Sequence, residues 1–478
     1  MKFVLGFNLL LLLFRVLYVL YSPLDLTPEE AQYWDWSRHL DLSYYSKPPM
    51  VAYANFLTTS LLGNTELAVR ITPIVLSFLM SIFTYFFAKK LFDDRVAVIS
   101  STLPQLSVGL AINSLLMTTD ALLIFFWGLS LMAFWYALEK NSAFWWLLLG
   151  IFSGFAFLSK YSAVFLLPLA LLYLSIYKRE VLWSAKTYLS LLPPLFMSLP
   201  VLYWNYKHQF VSYKHVSTLA TKHASLFNLS SLLEYLGGQM LLVSILPFFF
   251  MLKGWLMGWK DRRLGFLTVF SLPIFLFFLV LSLRKHVEAN WSGFAYFGGF
   301  LLANYYLSKS RFLKPTYALS FVLFILLHFS PILDKVGLKN LLPPNRDPVK
   351  VAIGWELLGK EVSKLYTGQE IILSPHYQIS AELAFYTEGN PRTYCINLGR
   401  RMNQYDLWRE SMNNYIGKDG IYVDYSPIDD RVLEGFEGII EHRVLPIRWR
   451  GEVVLEFHIY KLKNYKHTIK EERMFEGY

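Results

Sequence analysis

The sequence predicts a polytopic α-helical membrane protein that carries an α/β domain at its C-terminal end, and three observations predict it. Of 478 residues, 55% are hydrophobic, 18% aromatic and only 17% charged, with a mean hydropathy of +0.36, a balance foreign to soluble domains. Long apolar runs recur from the N-terminus to about Leu333 and then stop. The basic residues sit in short clusters between those runs. That placement belongs to membrane topology and anionic lipid, and it excludes a nucleic-acid surface despite the formal net charge of +10.

The first run, "MKFVLGFNLLLLLFRVLYVLY", has one lysine ahead of a stretch long enough to span a bilayer. No small-x-small cleavage site follows, so it reads as a retained signal anchor. Arg15 interrupts it and is expected to snorkel or to face other helices. Further runs follow at 67–88, 96–112, 120–138, 144–158, 161–177, 181–204, 230–257, 264–283, 290–307 and 315–333. Several fall short of the ~20 residues of a straight span, which predicts broken or tilted helices. Four basic clusters lie between runs: Lys89, Lys90 and Arg95; Lys178 and Arg179; Lys260, Arg262 and Arg263; Lys309, Arg311 and Lys314. All four fall on one side if the N-terminus is cytoplasmic and each run crosses once, giving about eleven transmembrane helices. Cys395 is the single cysteine, so neither an intramolecular disulfide nor a multi-thiolate metal site can form. No Gly-rich phosphate loop is present; "GFAYFGG" reads as small residues in a helix.

Beyond Leu333 the pattern changes. "DKVGLKNLLPPNRDP" reads as a polar, Pro-rich linker. "EIILSPHY", "GIYVDYS" and "VVLEFHIYKL" read as strands, and "VAIGWELLGKEVSKLY" and "YDLWRESMNNYI" as amphipathic helices. Two domains are therefore expected: 1–333 in the membrane, with its chemistry on external loops, and 334–478 as a soluble α/β domain on the periplasmic side.

The chemistry gathers on that external face. "EEAQYWDWSRHLDLSYYSKPPM" puts Glu29, Glu30 and Lys47 on a loop that no span requires. Thr27 reads as a helix N-cap and Pro28 as the first helical residue, so two acids in the first turn also have a plain explanation against the helix dipole. Asp120 stands at the mouth of an apolar helix, where capping competes with chemistry and Thr118 and Thr119 compete for the cap. "WNYKHQFVSYKHVSTLATKHA" carries Lys207-His208, Lys214-His215 and Lys222-His223, spaced seven and then eight apart. A continuous helix would bring these pairs towards one face. External positive charge runs against the usual bias and points to an anionic ligand. Arg284, in "SLRKHVEANWSG", and Lys160, in "FLSKYSAVF", add to that face. A carboxylate can accept a proton from an attacking hydroxyl, and lysines can stabilise a departing phosphate.

At these residues the sequence resembles the membrane glycosyltransferases of the GT-C class. The likeness is to family 39, with its protein mannosyltransferases, and to its bacterial relatives that modify lipid A, the aminoarabinose transferase-like enzymes. The blocks "EEAQYW…HLDLSYYSKPPM", "ELAVRITP", "MTTDALL", "LSKYSA", "LPVLYWNYKH" and "VEANW" carry it. The resemblance implies transfer of a sugar from a polyprenyl-phosphate donor to an acceptor at the periplasmic face of the cell inner membrane. Glu29 takes the position of the usual catalytic aspartate, one methylene longer, with Glu30 in reserve; Asp120 matches the second-loop acid. Lys47 matches the lysine of the "KPP" motif, which contacts donor phosphate in relatives. Tyr33, Tyr45, Lys160, Tyr161, Lys214, His215 and Arg284 complete the substrate-binding candidates. Some lipid A modifiers place a zinc-binding acid directly before the lysine; Ser46 stands there instead, which leaves His215 as candidate ligand for a divalent metal ion.

The cationic external face suits an anionic glycolipid such as lipid A as acceptor, with membrane lipids around it and no nucleic acid. Protein O-glycosylation is the alternative on the same fold. A lipid or glycolipid transporter is the rival from another class, but transporters place charge near the midplane and show repeated halves, and neither is visible here. A reporter that works only in the cytoplasm, fused after the C-terminal domain, should stay silent; a signal would overturn the orientation and the site assignment together.

Overall fold

The computed structural model describes residues 1–221, 227–408, 412–466 and 469. The chain forms two compact units: Met1–Tyr18, Lys47–Val51 and Arg70–His328 in the first, and Val19–Ser46, Ala52–Val69 and Phe329–Tyr478 in the second. The units do not follow a single cut near 333, because residues 19–46 and 52–69 group with the C-terminal segment.

The first unit is helical. Among the described residues of the whole chain, four helices are long and apolar enough to cross a membrane: Lys2–Tyr21, Glu66–Leu91, Thr119–Lys140 and Arg262–Ser282. Leu229–Val243 and Ile245–Lys260 make a fifth span only if counted together, since they are bent by 105° at Ser244, whose φ is 73°. Met50–Leu62, Ala143–Ser159, Tyr161–Tyr177 and Leu313–His328 are apolar but shorter. Of the about eleven spans expected, several of them broken or tilted, four are long single helices among the described residues, and others are short or bent. The 96–112 run shows why. It is a helix Asp94–Thr102, a 3₁₀ turn Leu103–Leu106 and a helix Val108–Asn113. Pro104 lacks the amide hydrogen that an unbroken helix needs, and the Ser107 side chain caps the next segment at Leu110. Hydropathy alone does not register such breaks.

Close packing holds the bundle. Gly150 and Gly154 lie one turn apart on Ala143–Ser159, and a Cβ at Gly150 would sit 2.5 Å from the Ser190 carbonyl oxygen. Pro194 and Met197 of Leu192–Lys207 crowd Gly154 in the same way, as small residues allow between membrane helices. Phe134 packs edge-on against Trp146, Tyr173 and Phe270. Arg15 does not snorkel: it is 1% exposed and donates to Ser77 Oγ and Gln105 Oε1.

In the second unit a five-stranded sheet has the order β2-β1-β3-β5-β4. β1 (Ile371–Ser374), β2 (Thr393–Cys395) and β3 (Gly420–Asp424) are parallel, while β4 (Phe436–Trp449) and β5 (Glu452–Tyr465) form an antiparallel hairpin. β1, β3 and β5 are the three strands the sequence predicts. "EIILSPHY" is strand only to Ser374; after Pro375 the chain enters a helix, Tyr377–Tyr386. The helix expected in "YDLWRESMNNYI" is two short turns, Gln404–Leu407 and Met412–Tyr415; residues 409–411 lie outside those described. Arg450 and Gly451 close the hairpin with φ of 48° and 83°, the left-handed pair that matches strand twist.

The segment read as a linker is instead tied to that hairpin. The Arg450 side chain is 1% exposed, 2.5 Å from Asp334 and 3.2 Å from the fully buried Asp347. Trp449 Nε1 and Ser330 Oγ also donate to Asp347. Removing Asp347 leaves Arg450 to Asp334 alone and strips the Trp449 and Ser330 donors of their acceptor. Asp347→Ala should cost about 3 kcal/mol and expose the hairpin to limited proteolysis before the rest of the chain; unchanged thermal unfolding and protection would contradict this.

Candidate active site

In the first unit, Thr118 caps Thr119–Lys140 through the Ala121 amide. Asp120, in the first turn, is thereby released from capping. It is 4% exposed, and its two oxygens take different partners: Lys160 Nζ donates to Oδ1 at 2.7 Å and Asn290 Nδ2 to Oδ2 at 2.9 Å. Lys160 ends Ala143–Ser159 in an extended conformation. Its carbonyl accepts the Ala163 amide of the next 3₁₀ turn, so a broken helix aims the ammonium at the carboxylate. Asn290 lies in the turn Ala289–Ala295 and is exposed. Sequence reading selected Asp120 and Lys160 separately, and it quoted "VEANW" without choosing its asparagine. No spacing in the chain announces that these three meet.

An apolar groove with about 1980 Å³ of empty space, open mouth included, is lined by Phe157, Ala163, Val164, Leu171, Trp183 and Leu195 among others, so its lining flanks Lys160 in the chain. Tyr161 is half-buried next to the lysine, 5.7 Å from the Phe157 ring and 6.3 Å from that of Tyr213.

The Lys-His series is not on one helix. Leu192–Lys207 and Val211–Thr221 are separated at Gln209 and Phe210, both left-handed with φ of 55° and 57°. That break overturns the expected common face. Lys214 is exposed and His215 buried; Lys222 and His223 lie outside the described residues. Arg284 is exposed, and Lys47, half-buried, belongs to this unit. Among the described residues, no group of three or more His, Cys, Asp or Glu side chains is arranged to hold a metal ion. Ser46 stands in the acid's place, and His215 belongs to no such group among the described residues.

In the second unit the paired acids have opposite fates. Glu30 is fully buried and closes a capping box: its Oε2 accepts from the Thr27 amide at 2.9 Å and from Thr27 Oγ1 at 3.1 Å. Glu29, about 100° round the helix, is exposed. Its charge is close enough to Tyr377 to help raise that hydroxyl to about 12, after the larger effect of burial. Asp25 accepts from the Trp355 amide at 2.6 Å and the Glu356 amide at 3.3 Å. It is a helix cap supplied from far along the chain, and burial raises its carboxyl above the usual range. Tyr33 and Tyr45 are 3% and 2% exposed. Tyr33 packs edge-on to Trp36, and the Tyr45 amide donates to Gln404 Oε1 at 2.6 Å. Both are buried within this unit.

Residues 46–204 match the family described as dolichyl-phosphate-mannose-protein mannosyltransferase. The chain is 28% identical to a lipid A galacturonosyltransferase of Rhizobium johnstonii, over 80% of this chain and 81% of that one. It is 34% identical to an undecaprenyl phosphate-alpha-4-amino-4-deoxy-L-arabinose arabinosyl transferase of Pseudomonas aeruginosa, over 28% of this chain and 26% of the relative. The crystal structure of ArnT from Cupriavidus metallidurans bound to undecaprenyl phosphate superposes with a TM-score of 0.67, covering 95% of this chain and 97% of that one at 13% identity. The last likeness is one of fold.

The Asp120–Lys160 pair makes its own prediction. Lys160→Met leaves a buried carboxylate facing only an amide and should cost about 3 kcal/mol. Adding Asp120→Asn should recover most of that loss. Thermal unfolding of the single and double variants reads the coupling, and strict additivity would show that the two side chains are not paired.

Proposed function

We propose that this chain is a GT-C glycosyltransferase that moves a sugar from a polyprenyl-phosphate donor to lipid A or a closely related anionic glycolipid, a reading that its sequence relatives and its fold support. The observation that carries the donor assignment is a half-buried ammonium flanked in the chain by residues that line an apolar groove. Lys160 is held by Asp120, whose other oxygen accepts from Asn290, and the groove lining includes Phe157 and Ala163, three residues to either side of the lysine in the chain. A lipid phosphate needs a cation at its head and hydrocarbon along its tail. The relatives named for lipid A and for undecaprenyl phosphate support the two substrate classes. Whether the sugar is a hexose or a pentose belongs to the same proposal, and the greater coverage of the galacturonosyltransferase favours a hexuronic acid.

In this reading an acceptor hydroxyl attacks the anomeric carbon, its new C–O bond forming as the bond from that carbon to the phosphate oxygen breaks. The hydroxyl proton passes to a carboxylate, which Glu29 supplies: it is exposed, unlike its neighbour, and it occupies the motif position. The electron pair leaves on the polyprenyl phosphate, where Lys47 and Lys160 stabilise it. Lys214 and Arg284, both exposed, add positive charge for an anionic acceptor. The topology that goes with this reading has about eleven crossings, a cytoplasmic N-terminus, and residues 334–478 in the periplasm of the inner membrane.

Transfer from a polyprenyl-phosphate sugar in detergent tests the assignment. Glu29→Gln keeps size and hydrogen bonding but cannot accept a proton, and should abolish turnover. Glu30→Gln retains an oxygen for the capping box and should leave measurable activity. Lys47→Ala, on a loop stiffened by Pro48 and Pro49, should lower transfer about a hundredfold, equivalent to roughly 3 kcal/mol of barrier. A dead Glu30→Gln beside a normal Glu29→Gln would move the base by one residue. Normal turnover in all three variants would reject the site.

A further inference from the structure

Arg15 and Gln105 form a buried polar pair that this mechanism does not use. Arg15 Nη2 donates to Gln105 Oε1 at 2.9 Å, Arg15 Nη1 to Ser77 Oγ at 3.3 Å, and Ser77 Oγ to the same Gln105 oxygen at 3.0 Å. The three residues are 1%, 3% and 8% exposed. Among the described residues Arg15 pairs with no carboxylate, and Gln105 Nε2 meets no hydrogen-bond acceptor. A guanidinium placed inside a membrane bundle is costly and marks function more often than packing.

The consequence lies in the amide. Two donors converge on Gln105 Oε1, one of them charged, so the amide cannot flip without driving its NH₂ against the guanidinium. Its NH₂ is thereby fixed on the far side of the side chain. Gln105 lines a largely apolar cavity with about 760 Å³ of empty space, open mouth included. It also lines an adjoining pocket of about 320 Å³. The larger cavity is lined too by Asn290, the asparagine that holds Asp120. One end of an apolar cavity therefore touches the candidate site, and its wall carries an oriented hydrogen-bond donor.

We infer that this cavity takes an acyl chain of the acceptor lipid and that Gln105 Nε2 reads its ester or amide carbonyl, with Arg15 as positioning residue. The inference rests on the glycolipid acceptor proposed above. A polyprenyl tail is hydrocarbon throughout and offers the amide nothing. An acyl chain carries a carbonyl oxygen where it joins the headgroup. An unpaired donor in a low-dielectric cavity is unfavourable until such an oxygen arrives, so the site discriminates between the two lipids that the reaction brings together.

The test is equilibrium binding to the full-length chain in detergent, with three probes: acylated lipid A, its ether-linked analogue without chain carbonyls, and undecaprenyl phosphate. Wild type should bind the ester form about 3–10-fold more tightly than the ether form, the range of one neutral hydrogen bond. Gln105→Leu should erase that preference and leave undecaprenyl phosphate binding unchanged. Gln105→Glu guards against a folding failure: it pairs with Arg15 and stays folded, yet presents an acceptor where a donor is needed, and should also lose the ester preference. Equal binding of ester and ether forms by wild type, or a loss confined to undecaprenyl phosphate, would overturn the inference. Transfer assayed on the same samples separates the two readings: ester preference without glycosylation of lipid A would sink the proposed reaction and keep the subsite.

Discussion

A hydrocarbon layer offers no hydrogen bonds, so every backbone group inside it must be satisfied by the protein. This constraint decides where the helical unit can afford chemistry. A helix can break there only where side chains serve the freed amides and carbonyls, and at such a break the chain also changes direction and can aim a side chain inward. Thr102 and Ser107 serve the break around Pro104, and Gln105 lies between them. The Ala163 amide donates to the Lys160 carbonyl where Ala143–Ser159 ends, and Lys160 points at Asp120. At Ser244 the Phe248 amide donates to the serine carbonyl, which starts the second half of the bent pair. Polar function and broken helix coincide because one requires the other.

The electrostatics follow from how each buried charge is compensated. Asp120 and Lys160 neutralise each other, which makes the pair tolerable in a poorly solvated place. Under the proposed reaction an arriving phosphate would compete with Asp120 for the ammonium, while Asn290 would still hold the carboxylate. In the other unit the division of labour is between neighbours. Glu30 turns inward to the Thr27 amide and hydroxyl, and one residue of helical rotation leaves Glu29 outside. Two adjacent acids thus differ in place: one closes the helix cap and the other is exposed.

Much of this was legible in the sequence, but unevenly. The apolar runs and their basic flanks announce a helical bundle, since burial in lipid is a bulk property that composition reports. The breaks depend on single residues: Pro104 and Ser107 interrupt a run whose hydropathy looks continuous, and left-handed Gln209 and Phe210 scatter a Lys-His series that spacing would have aligned. Asp120 and Lys160 were recognisable as charges in apolar surroundings. Their pairing was not, because forty residues and a whole helix pair separate them. The capping box at Thr27 and Glu30 is a local pattern and so could be read directly, whereas the cap that Asp25 supplies to Trp355 spans 330 residues. Strands β1, β3 and β5 stand out by β-branched and aromatic content. β2, three residues long, has too little sequence to declare itself.

Two cations of the helical unit, Arg15 buried and Lys160 half-buried, show how charge and dipole divide the work. Lys160 faces a carboxylate, so its field is largely cancelled until an anion displaces that partner. Arg15 faces neutral oxygens of Gln105 and Ser77, so its field is not cancelled and polarises whatever accepts from it. A guanidinium placed in this way suits orientation better than it suits phosphate binding, since its strongest donor is already committed to an amide that faces a cavity. An ion pair that can open and a dipole that cannot turn are different devices. The first meets a group that carries charge, and the second meets one that carries only a lone pair. The bundle holds these two devices at separate breaks in its helices, the ion pair where Ala143–Ser159 ends and the oriented amide beside Pro104.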